Sequence, residues 1–109
     1  MKIKDDSAYE FESLPLFIDD EPHFAVRGIM VDSSRHFLSV KTLERTIDSM
    51  MMNKLNVMHW HITDDESFHW LLKNFSQITK SGAYSDKMVY TYDSMRHIID
   101  YASKRGVKM

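Results

Sequence analysis

Two short apolar runs on either side of a helical pattern constrain the fold of this chain more than any other feature. The first run, Gly-Ile-Met-Val within Val26–Asp32, ends directly on polar residues, and the second extends over Leu55–Thr63. Short apolar runs of this kind are typical of buried parallel strands. Between the runs, apolar residues recur at helical spacing, namely Leu43, Ile47, Met50 and Met51. The pattern therefore predicts strand, helix and strand, with Ser39 as the helix N-cap and Asn53 at its end.

The second half of the chain gives a clear helical pattern only near its end. Thr91 is a suitable N-cap, and Gly106 lies where that helix would stop. The three residues that follow, Val-Lys-Met, are consistent with the opening of another strand. Upstream, Trp70–Phe75 fits either a strand or an irregular segment, and the pair Ser81-Gly82 indicates a turn.

The order of these elements predicts the fold class. Strands that alternate with helices are typical of an α/β fold with parallel strands, because the helix carries the chain back to the start of the next strand. We expect this α/β part to occupy residues 25–109. Residues 1–24 are acidic and contain Pro15 and Pro22, so we expect them to form an irregular lead-in.

Composition excludes several classes of function. Fourteen basic against 16 acidic residues, with no basic stripe, argue against a nucleic-acid binder. The 109 residues include no cysteine, so disulfides and thiolate chemistry are excluded. No apolar run approaches the roughly 20 residues that span a membrane. The polar N-terminus lacks the apolar core of a signal peptide.

Polar residues with possible chemistry gather where the second strand ends. His59 and His61 are two residues apart on a strand and so face the same way, which would suit a metal ion or a hydrogen-bonded network. The adjacent Asp64 and Asp65 point in different directions and are unsuited to act as one acid/base dyad. Asp64, the first of the two, is the better candidate for a site, where it could hold a histidine or an arginine.

Arg35 follows the end of the first strand. Its guanidinium is a rigid fork that can bind two neighbouring oxygens, such as vicinal hydroxyls or a carboxylate. From spacing alone, a surface ion pair is the favoured explanation of this arginine.

Two blocks of this sequence resemble a known family. Arg27–Phe37 and Asn53–Phe68, together with their spacing, are similar to the family-20 glycoside hydrolases, the β-N-acetylhexosaminidases. Gly82-Ala83-Tyr84 and the stretch Tyr101–Met109 agree with this. The resemblance covers residues 20–109. It implies a (β/α)₈ barrel, of which this chain would form about the first two to three βα units.

The resemblance also implies a reaction. The family removes terminal non-reducing N-acetylglucosamine or N-acetylgalactosamine from glycans and glycoconjugates by retaining, substrate-assisted catalysis, in which the substrate's acetamide attacks the anomeric carbon. It needs neither a metal nor an organic cofactor. Members are often lysosomal or secreted, so this placement is expected by resemblance, although no signal peptide is present.

Carried over by position, Arg35 matches the arginine that binds sugar hydroxyls. Asp64 matches the aspartate that orients a histidine beside the acid/base glutamate, and Asp32 and His61 are possible supporting residues. That histidine and the catalytic Asp-Glu pair lie on later strands than the sequence contains. We therefore expect a fragment of a longer enzyme that is inactive alone. The alternative is a non-catalytic sugar-binding or interaction module.

Overall fold

The computed structural model describes residues 14–109 and the two strands β1 (Lys2–Asp5) and β2 (Ala8–Glu10). β1 and β2 pair antiparallel as a hairpin, with an irregularity between Ile3 and Asp5. The expectation that residues 1–24 are wholly irregular is therefore wrong for these two strands. Their short length explains the miss, because three or four residues show too little alternation to be read as a strand.

The two apolar runs form a parallel pair of strands, as predicted. β3 (Gly28–Asp32) lies beside β4 (Val57–His61), and their register aligns Gly28 with Val57 and Asp32 with His61. The strands approach so closely at Gly28 that a Cβ there would lie 2.7 Å from the carbonyl oxygen of Val57. The predicted second strand was longer than β4 at both ends, since Leu55 and Thr63 lie outside the regular ladder, whereas the first run ends at Asp32 as predicted.

The helix between these strands is α1 (Val40–Met52), and its predicted limits are confirmed. Ser39 caps it by accepting a hydrogen bond from the Thr42 N–H, and Asn53 follows its last residue. Leu43, Ile47 and Met50 form its buried face. This apolar stripe packs the helix on the core, where most helical stability in proteins originates.

The predicted C-terminal helix is α3 (Tyr92–Ser103), capped by Thr91. Gly106 has φ of +71°, a left-handed conformation that suits glycine after a helix. The chain then returns to the sheet, because Lys108 bridges Val57 in parallel and its carbonyl accepts the Met58 N–H at 2.8 Å. The predicted strand opening after the helix is thus confirmed over this one bridge.

The segment between β4 and α3 contains a helix that the sequence did not predict. α2 (Ser76–Gly82) ends at the glycine that we expected in a turn, and Trp70–Phe75 is irregular apart from one bridge between Trp70 and Tyr90. α2 has seven residues, no side-chain cap and only Thr79 buried. In a helix of two turns with one buried position, too few apolar residues recur at helical spacing for the helix to be predicted from the sequence.

The core lies between the helices and the two strands. Its fully buried apolar residues are Leu43, Ile47, Met50, Met58, Tyr90, Ile98, Ala102 and Val107. Tyr90 is the largest, and its hydroxyl donates to the carbonyl of Leu38 at 2.5 Å, which satisfies its polar end. The arrangement is a mixed α/β fold, in agreement with the predicted class.

Apolar side chains also remain uncovered. They are concentrated in the stretch before β3 and on β3 itself, and include Leu14, Leu16, Phe17, Ile18, Phe24, Val26 and Met30. None of the helices in the described part of the chain is long and apolar enough to cross a membrane.

Candidate functional site

The structure brings the four predicted site residues together at the carboxyl ends of β3 and β4. The guanidinium of Arg35 donates through Nη1 to Asp32 Oδ2 at 2.8 Å and through Nη2 to Asp64 Oδ2 at 2.5 Å. His61 Nε2 lies 2.8 Å from the same Asp64 oxygen. We refer to these four residues as the arginine cluster. Its convergence follows from the parallel pairing of β3 with β4, which places the two strand ends side by side.

Asp32 shapes the loop that presents Arg35. Its Oδ1 accepts the backbone N–H groups of Ser34 at 3.0 Å and Arg35 at 3.1 Å. Such an aspartate turn directs the chain back on itself immediately after the strand. The Arg35 N–H bond, followed by contributions that include the Arg35 side chain, holds the pKa of Asp32 below its usual value of 3.8. One carboxylate thus both turns the backbone and holds the guanidinium.

Asp64 is the more heavily used carboxylate. Oδ2 takes the bonds from His61 and Arg35, and Oδ1 accepts the N–H of Asp65 at 2.8 Å. These bonds, with the one from His61 largest, hold the pKa of Asp64 below its usual value of 3.8, although partial burial opposes them. Asp64 is therefore ionised at neutral pH. Its histidine partner within the described residues is His61.

The guanidinium remains accessible although two carboxylates hold it. The side chain of Arg35 is 53% exposed, whereas those of Asp32 and Asp64 are 23% and 17% exposed. Glu66 lies 3.8 Å from Arg35 Nε and is itself largely exposed. The acidic partners raise the pKa of Arg35 further, first through the hydrogen bond to Asp32. A guanidinium that is held by two carboxylates and is still exposed can bind neutral hydroxyl oxygens, because the carboxylates already compensate its charge.

The ring centroids of His59 and His61 are 6.1 Å apart, with their planes at 71°. His61 is hydrogen-bonded to Asp64. Across the part of the chain that the structure describes, no three histidine, aspartate or glutamate side chains are grouped so as to hold a metal ion. Of the two readings of these histidines, hydrogen bonding accounts for His61.

A cleft of about 480 Å³ opens beside the arginine cluster. Asp64, Asp65 and Glu66 line one side of it and α2 lines the other, through residues that include Gln77 and Ile78. Arg35 is not among its lining residues. The cleft therefore adjoins the cluster without enclosing the guanidinium.

Sequence reasoning missed the residues that support the cluster from behind. Ser34 and Ser67 are buried and exchange hydrogen bonds, each hydroxyl reaching the other residue's carbonyl at 2.6 Å. The Trp60 indole N–H donates to Ser33 Oγ at 2.8 Å, and the Tyr84 hydroxyl donates to the Arg35 carbonyl at 2.6 Å. These bonds join residues 27 to 49 positions apart, and no local pattern signals them.

Comparison with known proteins identifies the family of this chain. The family model described as "Glycosyl hydrolase family 20, catalytic domain" matches residues 24–109. The β subunit of β-hexosaminidase from Mus musculus is 47% identical over 92 residues, which cover 84% of this chain and 17% of that protein. β-Hexosaminidase A from Caenorhabditis elegans is 44% identical over 105 residues, covering 96% and 19%. The chain thus spans less than a fifth of the length of these relatives.

Solved structures show the same similarity. A chitobiase from Flavobacterium johnsoniae superposes with a TM-score of 0.73 at 36% identity, over 79% of this chain and 13% of that one. An exo-β-N-acetylglucosaminidase from Vibrio harveyi, solved with N-acetylglucosamine, gives 0.72 at 35% identity over 81% and 16%. The predicted resemblance is confirmed, and the chain belongs to the catalytic-domain family of the family-20 glycosyl hydrolases.

Proposed function

We propose that the protein to which this chain belongs is a β-N-acetylhexosaminidase that removes terminal non-reducing N-acetylglucosamine or N-acetylgalactosamine from glycans or glycoconjugates. The observation that carries this proposal is the accessible guanidinium of Arg35, which two carboxylates hold at the carboxyl ends of two parallel strands. Relatives named β-hexosaminidases and a related structure holding N-acetylglucosamine support it.

In this reaction Arg35 binds hydroxyl oxygens of the terminal sugar. Asp32 and Asp64 keep the fork in one orientation, so that less side-chain entropy is lost when the sugar binds. Asp64 has the further role, inferred from the family resemblance, of orienting a histidine beside the acid/base glutamate. His61 supports Asp64 through their 2.8 Å bond. No metal or organic cofactor takes part.

We further propose that residues 25–109 form about the first two to three βα units of a (β/α)₈ barrel. The parallel order β3, α1, β4 and the return of Lys108 beside β4 support this. Active sites of such barrels lie at the carboxyl ends of the strands, where the arginine cluster is. The cluster then forms one side of the site, and the catalytic Asp-Glu pair comes from outside the 109 residues. By the same resemblance, the protein is lysosomal or secreted.

Hydrolysis of a chromogenic N-acetylglucosaminide by the full-length protein and by the 109-residue chain tests the proposal. We expect turnover by the former and none by the latter. In the full-length protein Arg35→Ala should lower kcat/KM about 100-fold or more, because each hydrogen bond to a charged group is worth about 1.5–3 kcal/mol. Arg35→Lys, which keeps the charge but loses the fork, should recover only part of this loss.

Arg45→Ala provides the control, because Arg45 is an exposed arginine on α1, outside the arginine cluster. It should leave kcat/KM unchanged. Arg35→Ala activity within threefold of wild type would contradict the role of Arg35. Turnover by the 109-residue chain that disappears with Arg35→Ala would show that this chain needs no outside Asp-Glu pair.

A second candidate is a non-catalytic sugar-binding or interaction module. It is favoured by one observation, that the arginine cluster is assembled wholly from residues 32–64. A monodisperse 109-residue chain that melts cooperatively and binds N-acetylglucosamine, with binding lost in Arg35→Ala, would support this candidate. Absence of sugar binding by the isolated chain would reject it.

A further inference from the structure

A fully buried histidine, His69, lies behind the loop that carries Arg35. Its side chain has no exposed surface, and both ring nitrogens are within hydrogen-bond distance of backbone oxygens. Nδ1 is 2.7 Å from the carbonyl oxygen of Met88, and Nε2 is 2.9 Å from that of Ser34. The ring therefore bridges the loop after β3 to the segment that precedes α3.

Both partners of the ring can only accept hydrogen bonds. A neutral imidazole donates through one nitrogen, and its other nitrogen is itself an acceptor. Two simultaneous N–H···O=C bonds require a proton on each nitrogen. The bridge from His69 to Ser34 and Met88 is thus complete only when the ring is doubly protonated and positively charged.

One of the two bonds acts on the peptide unit that carries Arg35. The carbonyl of this unit belongs to Ser34 and accepts from His69 and from the hydroxyl of Ser67. Its N–H belongs to Arg35 and donates to Asp32 at 3.1 Å. The plane of this peptide is therefore fixed at both ends, and His69 supplies one of the fixing bonds.

The side chains packed against the ring are uncharged. Tyr84 and Phe37 lie edge-on to it, with centroids at 4.8 and 5.3 Å, and the N–H of Tyr90 donates to the His69 carbonyl. The titratable group that faces the ring is thus the phenol of Tyr84, and the loop of Ser34 carries the guanidinium of Arg35. None of the ion pairs found in the described part of the chain includes His69, so carbonyl dipoles are what stabilise its charge.

We propose that His69, with both ring nitrogens protonated, is a positioning residue that fixes the backbone of Arg35 against residues 83–91. Loss of one proton removes one bond and places a nitrogen lone pair against a carbonyl oxygen less than 3 Å away. The effect on sugar binding rests on the proposed function, whereas the state of the ring does not.

The ring itself is tested by NMR on the chain labelled with ¹⁵N-histidine. At pH 5 we expect both N–H protons of His69 to be observed and to exchange slowly with solvent, because both are buried in hydrogen bonds. The ring protons of His36, which is exposed on the same loop, should exchange rapidly. The variant His69→Gln assigns the signals. An Nδ1 or Nε2 proton of His69 that exchanges as fast as those of His36 would overturn the bridge.

The positioning role is tested by KM for the chromogenic glycoside in the full-length protein. Glutamine at 69 keeps one donor and so mimics the singly protonated ring. His69→Gln should raise KM about tenfold, the loss of one charge-assisted hydrogen bond, and should leave kcat within about twofold, because His69 does not touch the reacting atoms.

Tyr84→Phe is the matched control, because it removes a different bond to the same loop. The Tyr84 hydroxyl donates to the Arg35 carbonyl at 2.6 Å, so its loss should also raise KM and leave kcat within about twofold. No rise in KM for His69→Gln, or a fall in kcat as large as the rise in KM, would overturn the proposal. Absence of hydrolysis by the wild type would reject the proposed function and leave the NMR result standing.

Discussion

At the scale of single residues, two carboxylates hold one guanidinium in a fixed orientation. Asp32 comes from the end of one strand and Asp64 from the loop after the next, and both bind Arg35. Each carboxylate also accepts backbone N–H groups, so that its own position is fixed by the chain it belongs to. Because the backbone fixes the two carboxylates, they hold the guanidinium in one orientation. The site then binds only groups whose geometry matches that orientation.

Asp64 gives this cluster a defined pH dependence. The folded state lowers the pKa of Asp64 below 3.8, so its carboxylate stabilises the fold at pH values above 3.8 and loses that effect as the pH falls through the lowered value. We expect Asp64→Asn to reduce the free energy of unfolding at pH 6, and we expect this reduction to become smaller as the pH falls below 3.8. Urea denaturation at each pH measures the difference.

Asp65→Asn is the control for this prediction. Asp65 is the exposed neighbour, so its variant should differ little from wild type across the same pH range. A reduction for Asp64→Asn that stays constant from pH 6 to pH 2 would show that its ionisation does not contribute. Subtracting the free energy of unfolding of the variant from that of the wild type at each pH cancels the titration of Asp32 and Asp48. The fold lowers the pKa values of these two carboxyl groups as well.

The placement of Arg35, Asp32, His61 and Asp64 at one edge of the sheet could be predicted because each lies at the end of a strand or shortly after it, and strand ends are local signals. The partner of each atom could not be predicted. Whether His61 joins His59 on an ion or turns to Asp64 depends on a side-chain rotation that spacing leaves open. The role of His69 depends on carbonyls 19 and 35 positions away, which only the folded chain brings together.

At the scale of elements, the predicted helices share one property, a side-chain cap. Ser39 and Thr91 each accept an N–H three residues ahead, and both helices begin where these residues indicate. α2 has no such cap and was not predicted. The start of a helix could therefore be predicted where a side chain accepts a hydrogen bond from a free N–H group of the first turn. It could not be predicted for α2, where no side chain does so.

The cap of α1 should contribute measurably to stability. Ser39→Ala removes the acceptor for the Thr42 N–H, and we expect the free energy of unfolding to fall by about 1 kcal/mol. Ser39→Asn keeps an oxygen in the same place and should restore most of this loss. Chemical denaturation of the three proteins provides the comparison, and an equal loss in both variants would show that capping is not the cause.

Side chains on α1, on α3 and just after α3 also join the two helices. Asp48 accepts hydrogen bonds from the Tyr101 hydroxyl at 3.0 Å and from Arg105 Nε at 2.5 Å. The guanidinium of Arg105 in turn lies 3.3 Å from the centroid of the Tyr101 ring. These contacts hold the helices that cover the sheet without using any residue of the arginine cluster.

At the scale of the whole molecule, much apolar surface is uncovered. Phe17 and Ile18 are 90% and 72% exposed, and Met30 on β3 is 58% exposed. Contiguous exposed apolar surface promotes association. We expect sedimentation analysis of the 109-residue chain to show association that increases with concentration.

The double variant Phe17→Ser with Ile18→Ser should weaken this association. Tyr92→Ser, which removes an exposed aromatic ring at the start of α3, should leave it nearly unchanged. A wild-type chain that remains monomeric across the concentration range would contradict the expectation. Equal effects of the two changes would show that the stretch before β3 is not the responsible surface.

The bridge between Lys108 and Val57 has a consequence for how the sheet can grow. It gives β4 a hydrogen-bonded neighbour on each side, with β3 along one edge and Lys108 on the other. A further strand can therefore join only outside β3 or outside Lys108, and never beside β4. Whatever is added, β4 therefore keeps an interior place in the sheet at Val57.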